Sequence, residues 1–163
     1  VFAATMRDLG TPVYPRKFFR LVLERYASDC NLLVVRLRGQ AAAAALLTHF
    51  RGHTEIPWAA SLHTLRSTSV NMRLYWECLL HAIGRGSKVF DFGRSTVDSG
   101  TYQFKLQWGG QPRQLHWVHP LAAGEPAPAG SGRMMQRARS LWSHLPLPVA
   151  NALGPLVSPG LPW

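Results

Sequence analysis

The chain has 163 residues, 47% of them hydrophobic, which is enough for one ordinary domain with its own core and too little for two. Its 18 Lys and Arg against 8 Asp and Glu give a formal charge of +10, carried mostly by arginine. Such a field attracts phosphates, anionic lipids or acidic polymers without choosing among them. The only cysteines, Cys30 and Cys78, exclude a disulfide framework and a four-cysteine zinc site, and they read as reduced packing residues. No stretch approaches the roughly 18 apolar residues of a membrane span, and no charged start is followed by an apolar core and a cleavage site. A cytoplasmic protein is the default expectation. Because Val1 stands where Met would and residues 1–9 already read as helix, the chain is expected to be a fragment with an upstream portion.

Pro15 opens a segment in which Phe18, Phe19, Val22, Leu23 and Tyr26 recur at helical spacing, as suits a proline in a first helical turn. Three short apolar runs follow, at residues 32–37, 41–50 and 54–61, separated by Arg38-Gly39-Gln40 and Arg51-Gly52. Short runs between glycine turns predict a three-stranded antiparallel meander, although the alanines of the middle run are weak strand formers. After a polar stretch at residues 63–69, the positions Met72, Tyr75, Trp76, Leu79, Leu80 and Ile83 fall on one face of a helix that Gly84 and Gly86 end. This spacing predicts that face as the buried one, with Arg73, Glu77 and His81 on the exposed side.

Residues 88–92 read as a short strand, followed by Gly93-Arg94-Ser95 and a further helix that stops at Gly109-Gly110. Residues 114–119 read as a last strand. From Pro120 to Gly132 the composition turns to Pro, Ala and Gly, which marks a linker. The organisation expected is a domain over residues 1–121, a linker over 122–132 and a basic amphipathic tail over 133–163. In that tail Arg133, Arg137 and Arg139 interleave with Met134, Met135, Leu141 and Trp142.

Chemistry concentrates in Phe90-Asp91-Phe92-Gly93-Arg94-Ser95-Thr96-Val97-Asp98. Strand alternation puts Asp91 on the face opposite its two phenylalanines. Ser95 and Asp98 have the spacing of a capping box, so the segment reads as strand, tight turn and capped helix. A helix start carries unpaired N–H groups, and Arg94 beside it adds a fork for a phosphate or carboxylate. The plainer alternative is that Asp91 and Arg94 pair with neighbours and hold the turn. Likewise Arg73, Glu77 and His81, at successive i+4 steps, form a solvated salt-bridge row or a functional set. Ser67, Thr68, Ser69 and Asn71 are alternative N-caps. The histidines at 49, 53, 63, 116 and 119 never take a metal-ligand spacing, so no metal site is expected.

Taken in order, Ile56-Pro57-Trp58-Ala59-Ala60-Ser61, Asn71-Met72-Arg73-Leu74-Tyr75-Trp76-Glu77, the Phe90–Ser95 motif, Gly100-Thr101-Tyr102-Gln103-Phe104-Lys105 and Trp108-Gly109 resemble the FemAB-like bacterial acyltransferases. The subgroup resembled is the one that accompanies exosortase (PEP-CTERM) and exopolysaccharide gene clusters. The likeness covers residues 2–121, and Leu145-Pro146-Leu147-Pro148, Asn151 and Leu153-Gly154-Pro155 look like that subgroup's ending. It implies an α+β, layered GNAT-like fold, with a mixed, mainly antiparallel sheet flanked by helices. The central strands of that sheet splay where an acyl donor's amides pair with backbone. FemAB proteins carry two such units, and this chain would be the second.

The resemblance implies an N-acyltransferase that moves an acyl or aminoacyl group to an amine of a cell-envelope, peptidoglycan-like or exopolysaccharide precursor. The donor would be an acyl-CoA or an aminoacyl-tRNA. Other GNAT enzymes carry a glycine loop before the long helix, whereas Leu65-Arg66-Ser67-Thr68-Ser69-Val70-Asn71 has no glycine, which leaves donors other than acetyl-CoA open. Asp91 and Glu77 are the candidate catalytic proton acceptors. Arg66, Arg94 and Lys105 are candidates for anionic substrate parts, Asn71 and Ser95 for polar contacts, and Trp58, Tyr75, Tyr102 and Trp108 for the cleft lining. The alternatives are a non-catalytic, substrate-binding half and a module held peripherally at the inner membrane through its tail. The basic face also suits transfer RNA, the weakest of these readings.

Overall fold

A computed structural model describes residues 1–116 and 132–160. In chain order these form α1 (Phe2–Asp8), α2 (Arg16–Arg25), β1 (Cys30–Leu37), β2 (Gln40–Phe50), β3 (His53–Ser61), a 3-10 segment (His63–Thr68), α3 (Val70–Gly84), β4 (Val89–Asp91), α4 (Gly100–Gln107), α5 (Arg133–Ser143), α6 (Leu147–Val157) and a terminal 3-10 turn (Ser158–Gly160). One compact unit comprises residues 1–93 with the segment from Arg139 onward, and a second comprises residues 94–138.

The sheet of the first unit has four strands in the order β1-β2-β3-β4, antiparallel from β1 to β3 and parallel between β3 and β4. Both hairpins turn on an Arg-Gly pair with positive φ throughout, Arg38 at 51° and Gly39 at 82°, then Arg51 at 46° and Gly52 at 78°. Two such residues in succession are the two-residue turn whose twist matches the flanking strands. The alanine run of β2 is strand, as expected: paired on both sides, its backbone is satisfied by ladders, and these outweigh the helical preference of alanine. Ala42, Ala43, Ala45, Leu46 and Leu47 are buried at the centre of the core.

Each register shift has an identifiable cause. Between Val35 and Arg36 of β1 the partner moves from Ala43 to Ala41, leaving Ala42 as the extra residue, whose carbonyl accepts from the Leu62 N–H at 2.9 Å. Between β2 and β3, Leu46 faces Trp58 and Thr48 faces Glu55, so Ile56 and Pro57 together oppose Leu47. Proline has no N–H to give a ladder and settles at such bulges.

The face α3 buries differs from the expected one. Val70, Leu74, Tyr75, Cys78 and Ala82 point into the core, while Met72, Trp76, Leu80 and Ile83 are exposed. Only Tyr75 of the expected face is buried among them. The helix is apolar on more than one side, so periodicity alone admits two stripes. The smaller side chains of Cys78 and Ala82 let the helix lie close to the alanines of β2.

Around the other helices, Phe2, Tyr14, Phe18 and Phe19 gather with Trp58 of β3, the ring centroids of Phe18 and Phe19 each 5.6 Å from Trp58. Helix α1 packs against β3 and α6, and the Arg7 guanidinium donates to the Leu145 carbonyl at 3.2 Å. Ala150, Gly154 and Ser158 are buried along one side of α6. The strand expected at residues 114–119 is not formed at 114–116, and its remainder lies outside the described residues, as does most of the expected linker.

A Cβ at Gly154 would stand 2.9 Å from both the Val13 backbone nitrogen and Cγ1, whereas one at Gly84 meets nothing within 4 Å. Gly154→Ala should therefore cost about 1–3 kcal/mol through overpacking. Gly84→Ala should be neutral or stabilising by up to about 1 kcal/mol. Thermal denaturation of the two variants checks both values.

Candidate functional site

The parallel pairing of β3 with β4 spans three residue pairs, His53–Val89, Thr54–Phe90 and Glu55–Asp91, and stops there. β3 itself continues to Ser61, still paired with β2 on its other side up to Ala43–Ser61. The two central strands thus part at the Ile56–Pro57 bulge, which adds local twist and bends β3 at the point where β4 ends. Beyond Glu55 the β4-facing edge of β3 has no strand partner among the described residues.

β4 is held by aromatic packing. Phe90 and Phe92 meet edge to face at 4.9 Å, and Phe92 stacks nearly parallel on Tyr75 of α3 at 6.0 Å. Asp91 is exposed at the end of β4, and its Oδ1 accepts from the Gly93 N–H at 2.7 Å. Gly93 has φ of 70°, a conformation that glycine adopts without steric cost. The plainer reading of Asp91 as a turn-holding residue is therefore realised in this contact, which leaves its second oxygen directed elsewhere. In-register residues of parallel strands project from the same face, so Glu55 stands beside Asp91. Glu55 is a candidate that sequence reasoning missed. The signal for it was the alternation of Thr54 inward and Glu55 outward just before the bulge.

Glu77, the other expected proton acceptor, is elsewhere. It ion-pairs with Arg73, and both line an open cavity of about 420 Å³ with Leu33, Val34, Val35 and Arg36. β1 and β4 are opposite edges of the sheet, three inter-strand spacings or about 14 Å apart. Glu77 and Asp91 are not brought together. Trp58 lies in the aromatic cluster against α2, Arg66 is exposed on the 3-10 segment, and Asn71 is half-buried in the first turn of α3. Of the alternative N-caps, Ser69 takes the position, in the left-handed conformation with φ of 55° and no side-chain capping bond. A loop without glycine nevertheless makes the left-handed turn into the long helix.

In the second unit the expected capping box is displaced. Helix α4 starts at Gly100, and Ser99 is its cap, the Oγ accepting from the Tyr102 N–H at 3.2 Å. Asp98, with φ of 62°, is outside the helical range, so Ser95 cannot begin the helix. Ser95 is half-buried and Arg94 exposed. The Lys105 ammonium donates to the Arg94 carbonyl at 2.8 Å, and Trp108 packs edgewise on Phe104 at 6.2 Å.

Burial sets the protonation of the interior groups. It pushes the Tyr75 phenol up to about 12, with Cys78 adding to the effect, and the Cys78 thiol up to about 12, with Glu77 adding to it. Both are neutral near pH 7, which disfavours Cys78 as a nucleophile.

His81 is not on an exposed ladder: its Nε2 is 2.9 Å from Asn31 Oδ1, which also receives His49 Nε2 at 3.0 Å. With both ring N–H groups donating to that oxygen, His49 Nδ1 accepts from the Thr54 hydroxyl at 2.8 Å, and Thr54 Oγ1 accepts from Ser87 at 2.7 Å. Desolvation first, then Arg85 and His81, lowers the His49 pKa, partly opposed by Asp29. No group of three or more His, Cys, Asp or Glu suited to a metal occurs among the described residues.

The family model of the acetyltransferase (GNAT) domain matches residues 1–106. The chain belongs to the GNAT acetyltransferase family. No curated protein matches the GNAT chain in sequence. Among solved structures, AAC(6')-Iy in complex with the bisubstrate analogue CoA-S-monomethyl-acetylneamine matches with a TM-score of 0.59 at 11% identity, over 74% of this chain and 89% of the other. A ribosomal-protein-alanine N-acetyltransferase from Brucella melitensis biovar Abortus 2308 gives 0.51 at 12% identity, over 63% and 74%. The aminoglycoside antibiotic 6'-N-acetyltransferase AAC(6')-IG from Acinetobacter haemolyticus gives 0.50 at 11%, over 65% and 82%. At these identities the likeness is one of fold, and it agrees with the α+β, mixed-sheet architecture expected for a GNAT domain.

Two solution properties follow for this GNAT domain. His49 titrates below its ordinary value of 6.5 when folded, so the folded state binds fewer protons than the unfolded chain. Its contribution to stability is present above pH 6.5 and lost as pH falls through the folded pKa. The melting temperature should therefore drop on acidification below that point, with a shallower slope in His49→Asn. Cys30 and Cys78, at 3% and 0% exposure, should resist alkylation in the native protein and both react on unfolding, as mass spectrometry would show.

Proposed function

We propose that this GNAT domain is an N-acyltransferase using a coenzyme A thioester as donor and an amine as acceptor. The observation that carries the reading is the parting of β3 from β4 at the Ile56–Pro57 bulge. Among the described residues it leaves the backbone of β3 beyond Glu55 without a strand neighbour on the β4 side, next to two exposed carboxylates. Such an edge fits the amide groups of a pantetheine arm, which pair with a strand as another strand would. The start of α3, with no acidic residue in its first turn and Arg66 just before it, suits the pyrophosphate. The bisubstrate analogue bound by AAC(6')-Iy, part coenzyme A and part amine, supports the same donor and acceptor classes.

When bound, the thioester supplies an activated acyl carbon that an amine attacks directly, forming the amide and releasing the thiol. Asp91, with Glu55 beside it, takes the proton from the incoming ammonium; the fixed Oδ1–Gly93 contact orients the carboxylate while its other oxygen serves as acceptor. In the second unit, Arg94 and Lys105 are the candidates for anionic substrate parts and Tyr102 and Trp108 for apolar surface, on the motif resemblance. We place the acceptor among amines of cell-envelope or exopolysaccharide precursors, on the ordered FemAB-like motifs from Ile56 to Gly109. The organisation we propose keeps residues 1–121 as the acyltransferase domain, 122–132 as linker and 133–163 as a terminal segment, the part from Arg139 onward belonging to the same compact unit as residues 1–93.

A second reading is favoured by the distance between Glu77 and Asp91: a substrate-binding unit whose chemistry is completed by another domain. The two readings separate in one assay of the purified protein, with acetyl-CoA and a panel of amino sugars and diamines, following amine-dependent thiol release. Acyl transfer should be measurable, and Asp91→Asn should lower kcat by about 10²–10⁴-fold with KM little changed. Glu77→Gln should have a smaller effect. Absence of transfer from acetyl-CoA, from longer acyl-CoA donors and from aminoacyl-tRNA alike rejects the enzyme reading, and a transfer seen with aminoacyl-tRNA alone rejects the coenzyme A donor.

A further inference from the structure

At the β2–β3 turn the first unit has an open polar recess of about 170 Å³, whose lining includes Asp29, His49, Arg51, His53, Arg85 and Ser87. Pockets for larger ligands run to roughly 300–1,000 Å³, so this one suits a small group. Two arginines stand against one aspartate, a surplus of one positive charge with the histidines neutral. Neither arginine forms an ion pair among the described residues. Both guanidinium groups are nevertheless held in place. Arg51 lies 5.2 Å over the Phe50 ring, and Arg85 donates to the Ser28 carbonyl at 2.8 Å. The Gly52 carbonyl accepts from the N–H groups of Lys88 and Val89 at 2.7 and 3.3 Å, which fastens the turn to the start of β4. Asp29 accepts from the Ser28 hydroxyl at 3.1 Å. At the end of α3 the carbonyls of His81, Ala82 and Ile83 accept from Arg85, Ser87 and Gly86, which blunts the negative end of the helix dipole.

Ser87 belongs both to this recess and to the buried network behind it. While His49 is neutral, Ser87 donates to Thr54 at 2.7 Å and Thr54 donates to His49 Nδ1 at 2.8 Å, so the only proton on the Ser87 hydroxyl points inward. A proton on His49 Nδ1 reverses the chain: His49 then donates to Thr54, Thr54 to Ser87, and the Ser87 hydroxyl is left to donate into the recess. The His49 Nε2 bond to Asn31 at 3.0 Å is the same in both states. A charge on His49 is disfavoured by burial first, then by Arg85 and His81, and favoured by Asp29. Arg51 and His53 of the turn add to the positive side. An anion in the recess opposes these repulsions and accepts the hydroxyl proton that the reversed chain offers.

We infer that this recess binds a phosphate group between the guanidinium groups of Arg51 and Arg85 and the hydroxyl of Ser87, and that binding reverses the hydroxyl chain so that His49 takes up a proton. The donors come from three segments, the β2–β3 turn, the end of α3 and the stretch before β4. A tetrahedral oxyanion offers oxygens in several directions to such a set, whereas a carboxylate offers two in one plane. The site is separate from the one proposed for acyl transfer. Helix α3, of 15 residues and about 22 Å, runs between it and the helix start suggested for the pyrophosphate. The inference therefore does not depend on that reading.

The experiment is calorimetric titration of the whole chain with inorganic phosphate, glycerol phosphate, sulfate and acetate. Phosphate and sulfate should bind saturably, and acetate about tenfold more weakly or less. Glycerol phosphate binding as tightly as phosphate assigns the recess to monoesters, and its exclusion assigns it to the free ion. Arg51→Asn should lower the affinity about tenfold or more. Arg38→Asn is the matched control, because Arg38 holds the same left-handed place in the other Arg-Gly turn and asparagine tolerates that conformation in both. It should leave binding unchanged. Sulfate stays a dianion around neutral pH, so its titration at pH 6.5 in buffers of different ionisation enthalpy reads proton uptake by the protein. Uptake should be measurable and should fall in Ser87→Ala, which leaves any share from His53 in place. No saturable binding, acetate binding as tightly as phosphate, or an equal loss in Arg38→Asn and Arg51→Asn overturns the site. Uptake that Ser87→Ala leaves unchanged overturns the coupling to His49.

Discussion

Ile56 and Pro57 opposing Leu47 is the constraint on which the rest of the molecule turns. Proline has no N–H to complete a ladder, so two residues of β3 span the distance of one on β2, and the strand twists where it would otherwise continue alongside β4. The bulge is held on both sides. Ile56 is buried in the core, and Trp58 is fixed among the rings of Tyr14, Phe18 and Phe19. A bend fixed in this way is a permanent feature of the sheet. The opening between β3 and β4 is therefore built into the sheet.

Small residues set how closely the layers approach. The alanines of β2, Cys78 and Ala82 of α3, and Gly154 of α6 all lie at contacts where a larger side chain would hold the elements apart. The cost is less apolar area buried per residue, and larger apolar side chains such as Trp76 and Ile83 remain at the surface. At one end of the sheet the polar interior is paired in a network. Asn31, His49, Thr54, Ser87 and His81 hydrogen-bond in one continuous chain, so the buried imidazole of His49 is neutral and satisfied. This chain ties β1, β2 and β3 to α3 at the end of the sheet where the β2–β3 turn lies, and the divergence of β4 begins from that anchored end.

Chemistry on this scaffold divides by sheet edge. Glu77 and Arg73 belong to the β1 edge and neutralise one another there, while Glu55 and Asp91 are neighbours where β3 and β4 separate. The interior thiol and phenol stay protonated because burial disfavours their charged forms. The exposed carboxylates are the groups we propose for proton transfer, with the strand edge beside them for orientation. Positive charge follows a different pattern: after Glu125 the sequence carries Arg133, Arg137 and Arg139 and no Asp or Glu.

Sequence by itself determined the elements whose cause is local. Two Arg-Gly pairs dictated two hairpin turns, Pro15 marked the start of α2, and short apolar runs between glycines gave three antiparallel strands, because turn geometry and strand periodicity are properties of a few consecutive residues. The ordered motifs from Ile56 to Gly109 were also enough to indicate the GNAT fold. Which face α3 buries was decided only by the sheet it meets, since a helix apolar on two sides carries no preference until the volume opposite is fixed. The helix cap moved from Ser95 to Ser99 because the left-handed turn at Asp98 depends on its surroundings. The pairing of Glu55 with Asp91, the distance of Glu77 from both, and the inward turn of His81 to Asn31 join residues remote in sequence. Such pairings are set by parallel register and by packing, and neither is written in the spacing of residues along one segment.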